Sequence, residues 1–257
     1  TYQKPGTTEV MPGLAEKWEE SKDGKAVTFH LRKGVPFHGD WGEFTAEDVK
    51  FTLETVMKPD ARQTQAPKLR QKIESIEIPD KYTVSLRLKE PYPDLLSDLM
   101  NGYGPFLAMH SKKYVEAVGE EKAALQPIGT GPYKFVEYQK GQYLKLEALD
   151  QHWRRVPDFK SLTIRRVPET ATRIAMLSTG EADIVEIGLA AKKEVEAAGF
   201  GIRRGTRATD FYIALGAQYL TTRESYNPKI PWVGPTPERA LKVRQALNLA
   251  VNRQAII

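Results

Sequence analysis

Ile128-Gly129-Thr130-Gly131-Pro132-Tyr133-Lys134-Phe135 decides how this chain is divided. Two glycines, a threonine and a proline set a rigid turn, and an alternating aromatic strand begins at once. A phosphate-cradling loop would need a Lys-Ser/Thr pair opening a helix. Here a strand opens instead, so the turn reads as scaffold. Residues 127–131 form the natural boundary between two units, 1–127 and 128–257.

Upstream of the turn, Val27, Phe29 and Leu31 alternate with Thr28, His30 and Arg32, the pattern of a half-buried strand. Thr45 is placed to cap a helix, with Asp48 three residues on in a capping-box arrangement. Val49, Leu53, Val56 and Met57 then make an apolar stripe at helical spacing. Ile76 and Ile78, a turn at Pro79-Asp80-Lys81, and Val84, Leu86 and Leu88 read as a hairpin. A short helix carries Leu95, Leu96, Leu99 and Met100, another follows Ser111 as its cap, and 119–126 is helical in composition.

Downstream, Tyr133, Phe135 and Tyr138 lead through Lys140-Gly141 to a return strand over 143–149, a second hairpin. A strand over 162–166 and a helix over 169–179 follow, with Ala171, Ile174 and Leu177 on one side and Gly180 at the C-terminal cap. A short buried strand is expected at 184–187, a helix at 189–198 closed by Gly199, and a strand at 211–215. Thr236-Pro237 opens a last helix with proline where no partner is needed. Ala240, Val243, Leu247, Ala250 and Val251 form its stripe. Strands and helices intermixed on both sides of the boundary make the fold class α/β, in mixed α+β form.

The chain has 257 residues, 40% hydrophobic and 28% charged, close to the balance of a globular protein. It has no cysteine, which excludes disulfides and thiolate chemistry. Its net charge is +5. The basic pairs, such as Lys112-Lys113 and Arg165-Arg166, are scattered and interrupted by acids. Nucleic-acid binding would want a concentrated stripe, so no nucleic-acid partner is expected. The start carries no charged segment followed by an apolar stretch. The abrupt start at Thr1 and the close on Ile256-Ile257, after a helical pattern, suggest a piece of a longer protein.

No catalytic constellation is legible. The histidines are His30, His38, His110 and His152, and no two stand at i,i+4 on a helix. His30 is expected to face solvent. His38, in a loop before Gly39-Asp40, reads as structural. Asp40, Glu43, Glu47 and Asp48 do not follow calcium-loop spacing, and acids at a helix start suit its macrodipole. No serine lies in a G-x-S-x-G elbow. The aromatics are more suggestive. Phe211 and Tyr212 follow Asp210 on an expected strand. Tyr226 and Trp232 lie in a proline-rich connection over 219–237, and a loop of that length is more often functional than inert. Phe211 fits the core as well, and Trp232 fits a loop anchor as readily as a ligand contact.

Five motifs stand in register with one another: Leu14-Ala15-Glu16-Lys17-Trp18; Phe29 to His38 with Thr45-Ala46-Glu47-Asp48-Val49; the 128–135 turn; Gly180-Glu181-Ala182-Asp183-Ile184; and Val243-Arg244-Gln245-Ala246-Leu247-Asn248. From Leu14 onward the series resembles the family 5 extracellular solute-binding proteins, the oligopeptide, dipeptide and nickel receptors of bacterial ABC importers. The resemblance implies a periplasmic-binding-protein-like class II fold. In it, 1–127 would be a small accessory domain and 128–257 most of the first ligand-binding lobe, with the second lobe missing. It implies a monomeric, non-catalytic receptor without a cofactor or metal, periplasmic or membrane-anchored outside the cell. The receptor would hand a small solute, a peptide first of all, to membrane permease subunits. It places Asp210, Phe211 and Tyr212 beside the ligand crevice, with Tyr226 and Trp232 as further candidates. The connection over 219–237 is longer than usual for the family, and Asp150-Gln151-His152-Trp153 departs from it in a way that reads as structural. The same fold fused to a DNA-binding domain, as a metabolite-sensing regulator, is the alternative.

Overall fold

The computed structural model of the chain describes residues 2–3, 9–99, 107–203, 222, 224, 226–234 and 236–252. The chain divides into two compact units, Thr1–Thr206 and Arg207–Ile257. The expected strand at 211–215 lies outside the described residues.

The first unit opens with β1 (Tyr2–Gln3) and β2 (Val10–Met11), which pair antiparallel. Next come β3 (Ala15–Glu20) and β4 (Ala26–Leu31), then helix α1 (Ala46–Val56), helix α2 (Ala66–Lys72), β5 (Ile73–Asp80) and β6 (Thr83–Leu88). The four longer strands form an antiparallel sheet in the order β3-β4-β6-β5. Its register sets Val27 opposite Leu86 and Phe29 opposite Val84. Because side chains alternate along each strand, these residues share one face with Leu31, Leu88, Ile73 and Ile76, and all are buried. Leu53 and Val56 of α1 and Ala66 and Leu69 of α2 complete this core, with Val49 and Met57 packed at its margin. The stripe read from the sequence is therefore the face that seats α1 on the sheet.

The start of α1 is fixed by Asp48. Its Oδ2 accepts from the Thr45 N–H at 2.9 Å and from the Thr45 hydroxyl at 3.1 Å. Its Oδ1 accepts from the Lys112 N–H at 2.9 Å. That last bond ties α1 to a later helix, and Thr52 adds a second tie by accepting from the His110 N–H at 3.0 Å. The later helices are α3 (Leu95–Leu99), α4 (Lys112–Val118) and α5 (Glu120–Leu125). Ser111 caps α4 by accepting from the Tyr114 N–H.

Beyond the turn come β7 (Tyr133–Gln139), β8 (Tyr143–Ala148) and β9 (Ser161–Arg165), an antiparallel sheet in that order. A register shift between Phe135 and Glu137 marks a bulge. It explains why the aromatic spacing breaks from Tyr133 and Phe135 to Tyr138: the extra residue restores facing after the bulge.

Helix α6 (Thr170–Ser178) ends before Gly180 at φ +75°, the left-handed cap expected there. Its inner face differs from expectation. Met176 is buried, Ile174 and Leu177 are half-buried, and Ala171 is exposed. Arg173, on the same helix, donates to the carbonyls of Val167, Pro168 and Glu186 and to the Thr170 hydroxyl. The short buried strand expected at 184–187 does not form, and Ile184 is 87% exposed. A strand exists by pairing, and no described residue offers this segment a ladder partner. Helix α7 (Lys192–Ala197) follows a 3-10 turn at Leu189–Ala191 and closes at Gly199, φ +85°.

The second unit is described through the loop 226–234 and helix α8 (Pro237–Ala250). Thr236 caps α8 by accepting from the Arg239 N–H at 3.3 Å. Of the expected stripe, Ala240 is buried, whereas Leu247 is exposed.

Candidate functional site

The loop before α8 is a compact turn rather than an open strap. The Ile230 N–H donates to the Asn227 carbonyl at 3.2 Å, and the Val233 and Gly234 N–H groups both donate to the Ile230 carbonyl, at 3.0 and 2.8 Å. Val233 is buried. Gly234 takes φ +65°, and a Cβ there would meet the Ala240 nitrogen at 3.2 Å, so only glycine lets the loop close on α8. Arg244 of α8 donates to the Trp232 carbonyl at 2.8 Å. Trp232 is thereby held at the loop's end with its ring half-buried, and Tyr226 is half-buried at the other end. These bonds suit a loop anchor. Asp210, Phe211 and Tyr212 lie outside the described residues.

In the first unit the turn at 129–131 gathers side chains that sequence spacing does not connect. His38 sits in a 3-10 turn, His38–Asp40, pinned to the core by its neighbours Phe37 and Phe44. Its Nε2–H donates to the Gly131 carbonyl at 2.8 Å, while its Nδ1 accepts from the Gly129 N–H at 3.3 Å. The main chain adds a bond from the His38 N–H to the Gly129 carbonyl at 3.0 Å. His152 Nε2–H and Trp153 Nε1–H both donate to the Thr130 carbonyl, at 3.0 and 2.8 Å. Arg32 lies over the Trp153 ring, 5.2 Å from its centre, and pairs with Glu16 at 3.0 Å. Burial holds the His38 imidazole below the usual histidine range. The hydrogen bond to Gly131 opposes this, and the charges of His152 and Lys134 add to it.

Beside this turn lies a cavity of about 810 Å³. Leu14, Phe29, Val49, Leu86, Met109 and Ile128 give it an apolar wall, and Thr130, His152 and Arg154 lie at its polar side. Every lining residue falls within 2–159, and the apolar wall combines Phe29 and Leu86 of the four-stranded sheet with Val49 of α1 and residues of the flanking loops. The acids near α1 do not converge. Glu43 pairs with Lys81 at 2.8 Å and accepts from the Tyr82 hydroxyl, Glu47 pairs with Lys112, and Asp48 serves the helix start. Among the described residues no group of three or more His, Asp or Glu side chains is placed to hold a metal ion. His30 is half-buried beside Glu19, at 3.5 Å, rather than facing solvent. The roles of His152 and Trp153 escaped the sequence because their partner, Thr130, lies across a hairpin with no periodic signal to link them.

A mixed α/β chain with this turn between a four-stranded and a three-stranded antiparallel sheet matches one family along almost its whole length. The model of the bacterial extracellular solute-binding proteins, family 5 (middle), aligns with residues 9–257. The chain belongs to this family. It is 34% identical to the dipeptide-binding protein of Escherichia coli (strain K12), over 99% of this chain and 48% of that protein. It is 30% identical to heme-binding protein A of Haemophilus influenzae, over 99% of this chain and 47% of that protein. Among solved structures it resembles the periplasmic binding protein DppA from Helicobacter pylori in complex with the peptide STSA. The TM-score there is 0.67 at 33% identity, covering 76% of this chain and 42% of the other. The family member therefore has the fold of periplasmic binding proteins, and it spans about half the length of the curated relatives it matches.

Proposed function

We propose that this chain is one half of a solute receptor that delivers a peptide to the permease of a bacterial ABC importer, outside the cytoplasmic membrane. The match to the family 5 solute-binding model over residues 9–257 carries this reading. The relative named as a dipeptide-binding protein and the neighbour solved with a bound peptide favour a peptide over other solutes. No catalytic arrangement is assigned, and the receptor passes its solute on unchanged.

In this reading residues 1–127 form an accessory domain and 128–257 most of the first ligand-binding lobe. Asp210, Phe211, Tyr212, Tyr226 and Trp232 line the crevice side of that lobe. The ligand acts by favouring the closed arrangement of two lobes, and it can do so only by touching both. Burial between lobes supplies affinity, while a few polar groups and backbone contacts fix orientation. Ordered water filling spare side-chain pockets would let one receptor accept many peptides.

Mass spectrometry of small molecules carried through purification by the full-length receptor tests the proposal. A peptide recovered intact is the expected result. A non-peptide solute would overturn the peptide assignment, and turnover of the bound molecule would overturn the receptor reading.

A further inference from the structure

Both ring nitrogens of His38 and both of His152 are committed to main chain. An imidazole nitrogen that accepts from an N–H carries no proton, and one that faces a carbonyl must carry one. For His38 the Gly129 N–H at Nδ1 and the Gly131 carbonyl at Nε2 leave one form, neutral and protonated on Nε2. For His152 the Arg154 and Arg155 N–H groups, both at 3.2 Å from Nδ1, and the Thr130 carbonyl at Nε2 impose the same form. A second proton on either ring would set an N–H against an N–H.

We propose that His38 is a proton-operated clasp on the turn 129–131, closed when its ring is neutral and released when it is protonated, with His152 and Trp153 holding the Thr130 carbonyl from the other side. His38 holds the turn from the loop that is anchored in the four-stranded sheet's core, and His152 holds it from the end of β8. Releasing His38 loosens the junction between the two sheets and leaves each sheet's own ladder intact.

The surrounding charges set the threshold. Lys134 of β7 faces His38 and is paired with Glu147 of β8 at 3.2 Å. Asp40 lies on the same turn as His38. Arg32, paired with Glu16 of β3, stacks on Trp153, and Arg155 beside His152 is paired with Asp158 at 2.7 Å. Glu16, Glu147 and Asp158 are engaged with their own cations, and the charges of His152 and Lys134 oppose protonation of His38. The clasp therefore stays closed at neutral pH and opens on acidification below the ordinary histidine value of about 6.5.

Amide hydrogen exchange by NMR between about pH 7.5 and about pH 5 tests this, since opening linked to one proton changes protection roughly ten-fold per pH unit. After correction for the intrinsic exchange rate, protection at Gly129 is expected to fall with that slope below about pH 6.5. Leu86, in the ladder of β6, should hold. His38→Gln, whose amide has an acceptor for the Gly129 N–H but no group that titrates in this range, should show no acid-linked loss there. Flat protection at Gly129, a parallel fall at Leu86, or an unchanged acid response at Gly129 in His38→Gln would each overturn the proposal. If that variant does not fold, the comparison of Gly129 with Leu86 in the parent chain decides alone. Neither outcome depends on which solute the receptor binds.

Discussion

Replacing Asp48 offers a stringent check on how the first unit is held together. The residue is 6% exposed, and its carboxylate accepts from three donors, two on Thr45 and one on the Lys112 main chain. Asp48→Ala removes all three bonds and leaves two main-chain N–H groups without their partner. A buried unsatisfied donor costs about 1–3 kcal/mol. Thr45 and Lys112 are half-buried, so water can recover part of that. Lost helix capping, about 1 kcal/mol, overlaps with the Thr45 bond and is not added again. The expected loss is about 2–4 kcal/mol, a large share of the ~5–15 kcal/mol that a domain has in total. Asp48→Asn is not mild either. Both oxygens accept, so an amide nitrogen must oppose one N–H, at a cost of about 1–3 kcal/mol. Urea unfolding followed by circular dichroism reads both as lower midpoints with an unchanged slope. If either variant lies within about 0.5 kcal/mol of the parent, the range of a neutral surface change, the account of this junction is wrong.

Other consequences are as concrete. Leu86→Ala, at a site 1% exposed in the middle of the four-stranded sheet, should cost about 2–5 kcal/mol by the same assay. Gly234→Ala should cost about 1–3 kcal/mol from its left-handed backbone and its contact with Ala240, read as local loss of amide protection around the start of α8. Glu43→Gln should bring the Lys81 ammonium, now pushed up to about 12 chiefly by its bond to Glu43, back toward 10.5 in an NMR titration. The ion pair itself should contribute little to the unfolding midpoint, because solvent screens Lys81, and the amide oxygen can still accept from the Tyr82 hydroxyl. For the clasp, the sign follows from His38. Its folded-state value is lowered, so its contribution is complete above the unfolded value of about 6.5 and is lost as pH falls through the folded one.

Much of the fold was legible because it is local. The alternation of Val27, Phe29 and Leu31, the Thr45-Asp48 cap and the stripe on α1 each lie within one element, and the structure places them as read. The hairpin beyond the turn was also legible, although its bulge at Phe135 was not. What failed depended on partners elsewhere in the chain. The apolar run at 184–187 was read as a buried strand, yet burial belongs to a neighbour that the run itself does not specify. The inner face of α6 centres on Met176 rather than Ala171, and the three carbonyls that Arg173 reaches are partners no helical period encodes. Of the candidate ligand residues, Asp210, Phe211 and Tyr212 rest on family likeness, and Tyr226 and Trp232 on the length of the connection that carries them. Tyr226 and Trp232 prove to flank a tight turn closed by Gly234, and Asp210, Phe211 and Tyr212 lie outside the described residues. The convergence of His38, His152 and Trp153 on three consecutive residues had no sequence signature, because it spans about a hundred residues of chain and depends on two sheets meeting.

The central claim, that a solute is held by two lobes of which this chain provides one, is tested most directly by calorimetric titration. A peptide recovered from the full-length receptor is titrated into that receptor and, separately, into this chain. The account predicts binding to the receptor and affinity at least about a hundred-fold weaker for the chain, a deficit of ~2.7 kcal/mol or more. Equal affinity for the two would contradict it.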